Sequence, residues 1–271
     1  MRTGLLRFLP LVLLLAVACL YTYKFEAVET HTYPAAGVTA LSAMTQNGGV
    51  RVTASQDTVI TDSVFKYAYG RDKAEAEKAI TNVVYSGTIV GGELRVKAEM
   101  PSGPRPYGAA FTITAPAATA VSIQTTNGAI TVSNTVGDIA ASTTNGAITL
   151  SGTDGTASLA TTNGALEVDV HRGGVEGKTT NGAVECDITT LGPAEDVILE
   201  TTNGTVTLWL PADVSAVVDA TNTNARIFVL GFTSVVYDKL EEHHVRARIG
   251  SGASSVTITT TNGSITVRAR S

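Results

Sequence analysis

One phrase, Thr125-Thr126-Asn127-Gly128-Ala129-Ile130-Thr131-Val132, recurs with few changes along this chain of 271 residues. The other copies are each centred on one Asn, namely Asn47, Asn145, Asn163, Asn181, Asn203, Asn224 and Asn262. From Asn127 to Asn203 the steps between copies are 18, 18, 18 and 22 residues. A repeat of this length predicts a solenoid, in which each repeat forms one coil and only the stacking of coils encloses a core.

Apolar residues occupy fixed positions relative to each Asn. In the copy at Asn145, for example, Ile148 and Leu150 follow the Asn and Ile139 and Ala141 precede it. Because residues two apart share one face of a strand, each coil of about 18–22 residues is predicted to contain two short strands with inward apolar faces. We therefore predict an all-β fold, a parallel β-helix, and a right-handed one because crossovers between parallel strands are overwhelmingly right-handed.

The Asn-Gly pair is expected to form a turn, since Asn tolerates the left-handed backbone region and Gly adopts it at no steric cost. In a stack, equivalent Asn side chains would lie about 4.8 Å apart and could hydrogen-bond along the axis as a ladder. The predicted ladder consists of Asn47, Asn127, Asn145, Asn163, Asn181, Asn203, Asn224 and Asn262. These Asn are therefore expected to be structural and not to line a ligand site.

The chain divides into four predicted parts. Residues 1–18 form a signal peptide and residues 19–37 a lipid-anchor or tether segment. Residues 38–120 contain the first coil and a capping elaboration with one short helix at about 72–82, so the stack is expected to begin near residue 38. Residues 121–271 form the regular coils, interrupted by a charged excursion at 232–249.

The N-terminus has the layout of an export signal. Arg2 and Arg7 precede an uncharged run at 8–18 that is too short to cross a bilayer, for which about 20 residues are needed. The run ends in Ala16-Val17-Ala18-Cys19, which resembles a bacterial lipobox, so Cys19 is a candidate lipidation site. Simple cleavage after Ala18 and an uncleaved anchor reaching Tyr23 stay open. All three place the remaining chain outside the cytoplasm, either secreted or anchored at the outer membrane or the outer face of the cytoplasmic membrane.

Composition and motifs exclude several classes of function. With 19 basic and 24 acidic residues and no polybasic run, a nucleic-acid partner is not expected. Two Cys cannot build a disulfide framework, and Cys186 falls in an inward apolar column. The stretch Glu241-Glu242-His243-His244 is the densest group of metal-type ligands, but neighbours on a strand face opposite ways, so we predict no metal and no cofactor.

No catalytic residue is predicted. The sequence lacks a nucleophile elbow, a redox Cys pair and a phosphate-binding loop. Polysaccharide lyases also use parallel β-helices, but they would need acids or bases on one outer face. Thr and Ala are expected at the corresponding places here, so no clustered Asp and Glu are expected.

The repeated phrase, the copy at Asn47 and the short helix together resemble the bacterial "putative adhesin" family of β-strand-repeat envelope proteins, whose function is unknown. The resemblance covers about residues 38–268. It implies a β-helix fold in an exported or membrane-tethered protein, and it brings no catalytic residues.

These observations favour a non-catalytic envelope protein, anchored at its N-terminus, that acts as an adhesin-like interaction or scaffolding surface. Its expected partners are the membrane, through a lipid or anchor, and other envelope proteins or surface polysaccharide. One alternative is a polysaccharide-binding or polysaccharide-cleaving β-helix, which an acidic and aromatic groove would favour. Another is a polymerising scaffold resembling bactofilins, which two uncapped ends would favour. Arg268 and Arg270 beside the last strand are expected to discourage such edge pairing.

Overall fold

The computed structural model describes residues 21–270, which form 23 strands and one helix. The helix is α1 (Lys73–Ile80). The strands are β1 (Tyr23–Pro34), β2 (Ala40–Met44), β3 (Val50–Ser55), β4 (Val59–Gly70), β5 (Val84–Val90), β6 (Glu93–Glu99), β7 (Tyr107–Pro116), β8 (Ala120–Gln124), β9 (Ile130–Ser133), β10 (Ile139–Asn145), β11 (Ile148–Ser151), β12 (Ala157–Asn163), β13 (Leu166–Arg172), β14 (Val175–Lys178), β15 (Val184–Thr190), β16 (Asp196–Asn203), β17 (Val206–Leu210), β18 (Ala216–Asn222), β19 (Ile227–Leu230), β20 (Val235–Leu240), β21 (His244–Ile249), β22 (Ser254–Asn262) and β23 (Ile265–Ala269).

Two large sheets are built from these strands. Sheet 1 has 11 strands in the order β1-β4-β7-β3-β9-β11-β13-β15-β17-β23-β19. Sheet 2 has 12 strands in the order β20-β21-β18-β22-β16-β14-β12-β10-β8-β2-β6-β5. Each regular coil gives one strand to each sheet, and neighbouring coils pair in parallel, so that Ile148 lies between Ile130 and Leu166. The predicted all-β, solenoid-like architecture is confirmed.

The core is the space between the sheets, and the inward columns fill it. Ile148 and Leu150 are 0% exposed in sheet 1, and Ile139 is 2% exposed in sheet 2. Cys186 is also fully buried, and burial raises the pKa of its thiol well above the ordinary value. On the terminal strand β19 the inward residues, Ile227 and Val229, are only partly buried.

At both ends, the order of coils in the stack differs from their order in the chain. The coil formed by β2 and β3 lies between the coil of β8 and β9 and the strands β6 and β7. At the other end, β22 and β23 lie between the coil of β16 and β17 and the coil of β18 and β19. The expectation that the stack begins near residue 38 is therefore wrong. The inward columns are similarly apolar in all the coils, so they do not by themselves fix the order, and the elaborations let the chain leave the stack and return.

The expected tether within 19–37 is also corrected. Residues 23–34 form strand β1, which pairs antiparallel with β4 along its whole length, from Tyr23 beside Gly70 to Pro34 beside Val59. Phe25, Ala27 and Tyr33 of β1 pack against the core, which supplies the physical reason for the strand. Polar and charged residues between them obscure this alternation in the sequence.

Each end of the stack carries an antiparallel elaboration. At the N-terminal end, α1 lies where a helix was expected; Asp72 caps it by accepting a hydrogen bond from the Glu75 N–H, and Ala76 and Ala79 are buried. At the C-terminal end, the excursion at 232–249 is a hairpin in which β21 pairs with both β18 and β20. Within the described residues, no helix has the length and apolar character needed to cross a membrane.

Candidate functional site

The structure brings all eight predicted Asn side chains into one row. Their order along the stack is Asn47, Asn127, Asn145, Asn163, Asn181, Asn203, Asn262 and Asn224. In every neighbouring pair the Nδ2 of one side chain donates to the Oδ1 of the next, at 2.7–2.8 Å. The row ends where Asn47 Nδ2 donates to the Tyr107 carbonyl at 3.1 Å. Each of these side chains joins its coil to a neighbouring one, so the row has a structural role.

The Gly that follows seven of the eight ladder Asn has a different role from the one expected, while Ala225 follows Asn224. None of these Gly has a positive φ. At Gly146, instead, a Cβ atom would lie 2.1 Å from the Gly128 carbonyl oxygen. The Thr143 hydroxyl donates to that same oxygen at 3.0 Å. Gly is therefore required by the close approach of coil on coil at this corner and not by a left-handed turn.

The remaining sequence candidates do not form a site. Cys19 lies outside the described residues. The side chains of the charged stretch ending in His244 contact different residues and do not converge on one point. His244 Nε2 lies 2.9 Å from Asp219 Oδ1, whereas His243 Nδ1 lies 3.0 Å from Asn222 Oδ1. Glu241 forms an ion pair with Lys239 at 3.2 Å. No group of three or more His, Cys, Asp or Glu within residues 21–270 is arranged to hold a metal ion.

A groove of about 310 Å³ lies on the outer face of sheet 1, where β13, β15 and β17 run side by side. We call it the Trp209 groove. It is lined by Glu167, Val168, Asp169, Glu185, Asp187, Trp209 and Arg270. Strand register brings Glu167 beside Glu185 and Asp187 beside Trp209. The acidic residues alternate with the buried Val168 and Cys186, so the pattern that fills the core also turns the carboxylates outward.

An irregularity in β13 borders the groove. The pairing of β13 with β15 shifts register between Val168 and His171, and Val170 within this segment has a φ of +53°. A β-branched residue rarely adopts such a backbone, and bulges often change the direction of neighbouring side chains. The regular ladder is thus interrupted immediately after Asp169.

The electrostatics of the groove are dominated by four carboxylates and one guanidinium group. Arg270 Nη1 lies 3.0 Å from Asp187 Oδ1. Burial raises the pKa of Asp187, and the charge of Asp169 raises it further while Arg270 opposes the change. The carboxylates can accept hydrogen bonds from hydroxyl or ammonium groups, and the partly exposed indole of Trp209 offers a flat apolar surface.

The Trp209 groove corrects the expectation that Asp and Glu are not clustered at the repeat positions. The position four residues after the Asn is Glu167 in the copy at Asn163 and Glu185 in the copy at Asn181, and both side chains lie on the outer face. The position six residues after the Asn changes from Ser151 to Asp169, Asp187 and Trp209 in successive coils. A comparison of this second outward column is the signal that could have found the site.

A second polar cluster lies beneath the N-terminal elaboration. Asp62 on β4 is fully buried, and the Tyr85 hydroxyl donates to its Oδ2 at 2.9 Å. The Tyr33 hydroxyl lies 2.6 Å from that of Tyr85, and the His31 ring stacks on Tyr85 with 4.2 Å between centroids. Burial raises the pKa of Asp62 to about 6, although the Tyr85 hydrogen bond and the charge of His31 oppose it.

Comparisons with known proteins found one family and several similar solved structures. A family model described as Toastrack DUF4097 matches residues 86–268. One similar solved structure is a putative cell adhesion protein from Clostridium sporogenes, at 12% identity and a TM-score of 0.36, over 91% of this chain and 100% of that chain. A putative adhesin from Bacteroides fragilis is similar at 11% identity and a TM-score of 0.44, over 90% of this chain and 97% of that chain. A putative adhesin from Parabacteroides distasonis follows at 7% identity and a TM-score of 0.40, over 89% and 97%.

A search of curated proteins gave no match. The family model nevertheless covers more than half of the sequence. The resemblance to adhesin-like β-strand-repeat proteins is therefore confirmed, and the chain belongs to the Toastrack DUF4097 family.

Proposed function

We propose that this chain is a non-catalytic, exported envelope protein that is anchored through its N-terminus and presents the solenoid as an adhesin-like interaction surface. The observation that carries the proposal is the contrast between a uniform scaffold and one distinctive surface. The core columns and the Asn ladder are nearly the same in every coil, whereas the Trp209 groove occurs where the outward residues change. A stack that keeps its interior constant while its surface varies is suited to display a binding site.

The anchoring part of the proposal rests on the sequence before residue 21 and is tested separately. Mass spectrometry of the mature N-terminus from the native host should show a lipid-modified Cys19. In cells that express Cys19→Ser, this species should be lost and the protein should leave the membrane fraction. An unmodified N-terminus after cleavage, or an uncleaved chain, would contradict lipid anchoring.

A second candidate function is saccharide binding, and the composition of the Trp209 groove favours it. A pyranose ring has an apolar face, which can stack on an indole, and hydroxyl groups, which can donate to carboxylates. Glu167, Asp169, Glu185 and Asp187 outnumber the single cation Arg270. We therefore propose neutral or amine-bearing saccharides as ligands, because uronate-rich polymers would be repelled by this excess negative charge.

Tryptophan emission can report binding at the groove directly, because Trp209 is the only Trp in the sequence. Neutral, amine-bearing and uronate oligosaccharides would be titrated while the emission is recorded. We expect a saturable change with the first two classes and none with uronates. Asp169→Asn should weaken binding, whereas Glu99→Gln, which alters an exposed carboxylate on β6 away from the groove, should not.

The same titrations separate binding from cleavage. Chromatography of each saccharide after long incubation should show no shortened products. Product formation that depends on Glu185 or Asp169 would overturn the non-catalytic proposal. Unchanged emission with every class of saccharide would overturn saccharide binding but would leave anchoring to its own test.

A further inference from the structure

Strand β19 is the edge of sheet 1 at the C-terminal end of the stack. It pairs with β23 on one side, and no strand within residues 21–270 pairs with its other side. Its sequence, Ile227-Phe228-Val229-Leu230, has no charged residue. Natural proteins usually protect such an edge with charges, Pro or a covering element, because its unpaired N–H and C=O groups can pair with another chain.

The protection expected from Arg268 and Arg270 is not at this edge. Their strand, β23, lies inside the sheet between β17 and β19. Arg270 forms an ion pair with Asp187 in the Trp209 groove, and Arg268 lies beside Leu230 on the outer face. The inserted position of β23 therefore leaves an uncharged strand at the end.

Large apolar side chains are exposed at the same end of the stack. Phe228 and Leu230 on β19 are 41% and 42% exposed. On the adjoining hairpin, Tyr237 and Leu240 of β20 are 43% and 68% exposed. Exposed apolar groups at an end of the stack that also carries an unpaired strand are typical of a surface that associates with another molecule.

We propose that β19 pairs with β19 of a second copy of this chain, so that sheet 1 continues across the contact and the protein forms a closed dimer. The opposite end of sheet 1 decides against head-to-tail growth. Its edge strand β1 carries Lys24, Glu26, Glu29 and His31, and α1 packs against β1 and β4. Head-to-tail pairing would place those charged groups against an uncharged strand.

Antiparallel pairing of two β19 strands avoids this conflict. Apolar residues meet apolar residues, and the free backbone groups of each copy are satisfied by the other. Because a two-fold contact uses the same surface on both copies, it closes after two subunits and leaves the charged strand β1 of each copy at the outer ends of the joined sheet 1. The geometry thus points to a dimer and away from the polymerising scaffold that the sequence left open.

The test compares an edge variant with a matched interior variant. All proteins carry Cys19→Ser so that no lipid contributes to association, and their masses are measured by light scattering or sedimentation from micromolar to submillimolar concentration. The parent should have twice the mass of one chain. Leu230→Lys should reduce the mass by half while its circular dichroism spectrum stays that of the folded parent, whereas Thr149→Lys, outward in the interior of sheet 1, should remain dimeric.

Hydrogen exchange provides a second measurement that does not depend on folding of the Lys variant. The amides of β19 should exchange faster when the parent is diluted into the monomeric range, while those of β11 should not change. A parent that is monomeric throughout, a ladder of larger oligomers, or β19 exchange that is independent of concentration would each overturn the proposal. A dimer that persists in folded Leu230→Lys and Phe228→Lys would also overturn it.

Discussion

Replacement of Gly164 by Ala should break the contact between two coils at the ladder corner. The added Cβ atom would lie 1.9 Å from the Gly146 carbonyl oxygen, and the backbone of Gly164 has no positive φ, so space is the only obstacle. A carbon atom and a carbonyl oxygen in contact normally lie about 3.3 Å apart. The two coils must therefore separate locally by about 1.4 Å, the difference between that distance and the 1.9 Å available.

Three hydrogen bonds join the coils at this corner and would be stretched by that separation. The Thr161 hydroxyl donates to the Gly146 carbonyl at 3.0 Å, and the Gly146 N–H donates to the Asn163 carbonyl at 3.1 Å. Asn163 Nδ2 donates to Asn145 Oδ1 at 2.8 Å. Since each such bond contributes about 1 kcal/mol net, Gly164→Ala should lower the free energy of unfolding by about 3 kcal/mol.

Gly177→Ala is the matched control in the same stack. The nearest atoms to its Cβ would be methyl carbons, Cδ1 of Leu166 at 3.2 Å and Cδ2 of Leu199 at 3.3 Å, which can move by rotation. Neighbouring coils place Leu159 and Leu199 in the same inward column. The added methyl group should therefore be tolerated, or should stabilise the fold by up to about 1 kcal/mol through the unfolded chain.

Urea unfolding followed by circular dichroism would compare the two variants. The midpoints are compared directly, because a stack of coils need not unfold in one step. We expect the midpoint of Gly164→Ala to fall clearly below that of the parent, and that of Gly177→Ala to equal or exceed it. If both variants unfold at the parent midpoint, the close coil-to-coil contact is not what selects Gly at this position.

Other substitutions test the core, the thiol and the buried acid. Ile148→Asp should unfold the stack or lower its melting temperature sharply, because a carboxylate would be buried without a partner at a cost of several kcal/mol. The outward Thr149→Asp should be tolerated. Equal melting temperatures of the two variants would contradict the assignment of Ile148 to the core. In a Cys19→Ser background, Cys186 should resist a maleimide reagent until urea is added, and prompt native labelling would place the thiol outside the core. Burial raises the pKa of Asp62 from 3.8 to about 6. Its ionisation therefore lowers the free energy of unfolding by up to about 3 kcal/mol above pH 6. This loss of stability is relieved as the pH falls towards 4 and the carboxyl group becomes protonated. The Asp62→Asn variant should accordingly melt higher than the parent at pH 7, with a difference that shrinks at pH 4, and a difference independent of pH would contradict the assignment.

Much of the regular stack follows from local rules that a single sequence contains. The spacing by two around each Asn identifies both strands of a coil, and the structure buries the residues so identified, including Ile139 and Ile148. The helix α1 was likewise indicated by Ala and Ile at helical spacing among Lys and Glu. These features depend on neighbours within one coil or one turn, which is why the sequence alone could predict them.

The order of the coils depends on interactions that the sequence does not distinguish. In the structure, Val197 of β16 packs beside Val256 of β22. Val218 of β18 occupies the same inward column, so it could take the place of Val256 beside Val197 with an identical side chain. Because the contacts are so similar, the choice of neighbour is decided by the connections, including the hairpin of β20 and β21. The edge at β19 and the true place of Arg268 follow from this order and could not be predicted without it.

The Trp209 groove differs from the scaffold in its outward residues, which do not fill the core. In the two coils before the groove, Thr131 and Thr149 occupy the outward column and lie side by side in register, with no charge on either side chain. Glu167 and Glu185 replace them in the next two coils and lie side by side with like charges, which costs electrostatic energy. A stack selected for stability alone would retain Thr at these positions. This cost makes the groove, and not the Asn ladder, the surface on which the proposed saccharide binding is to be tested.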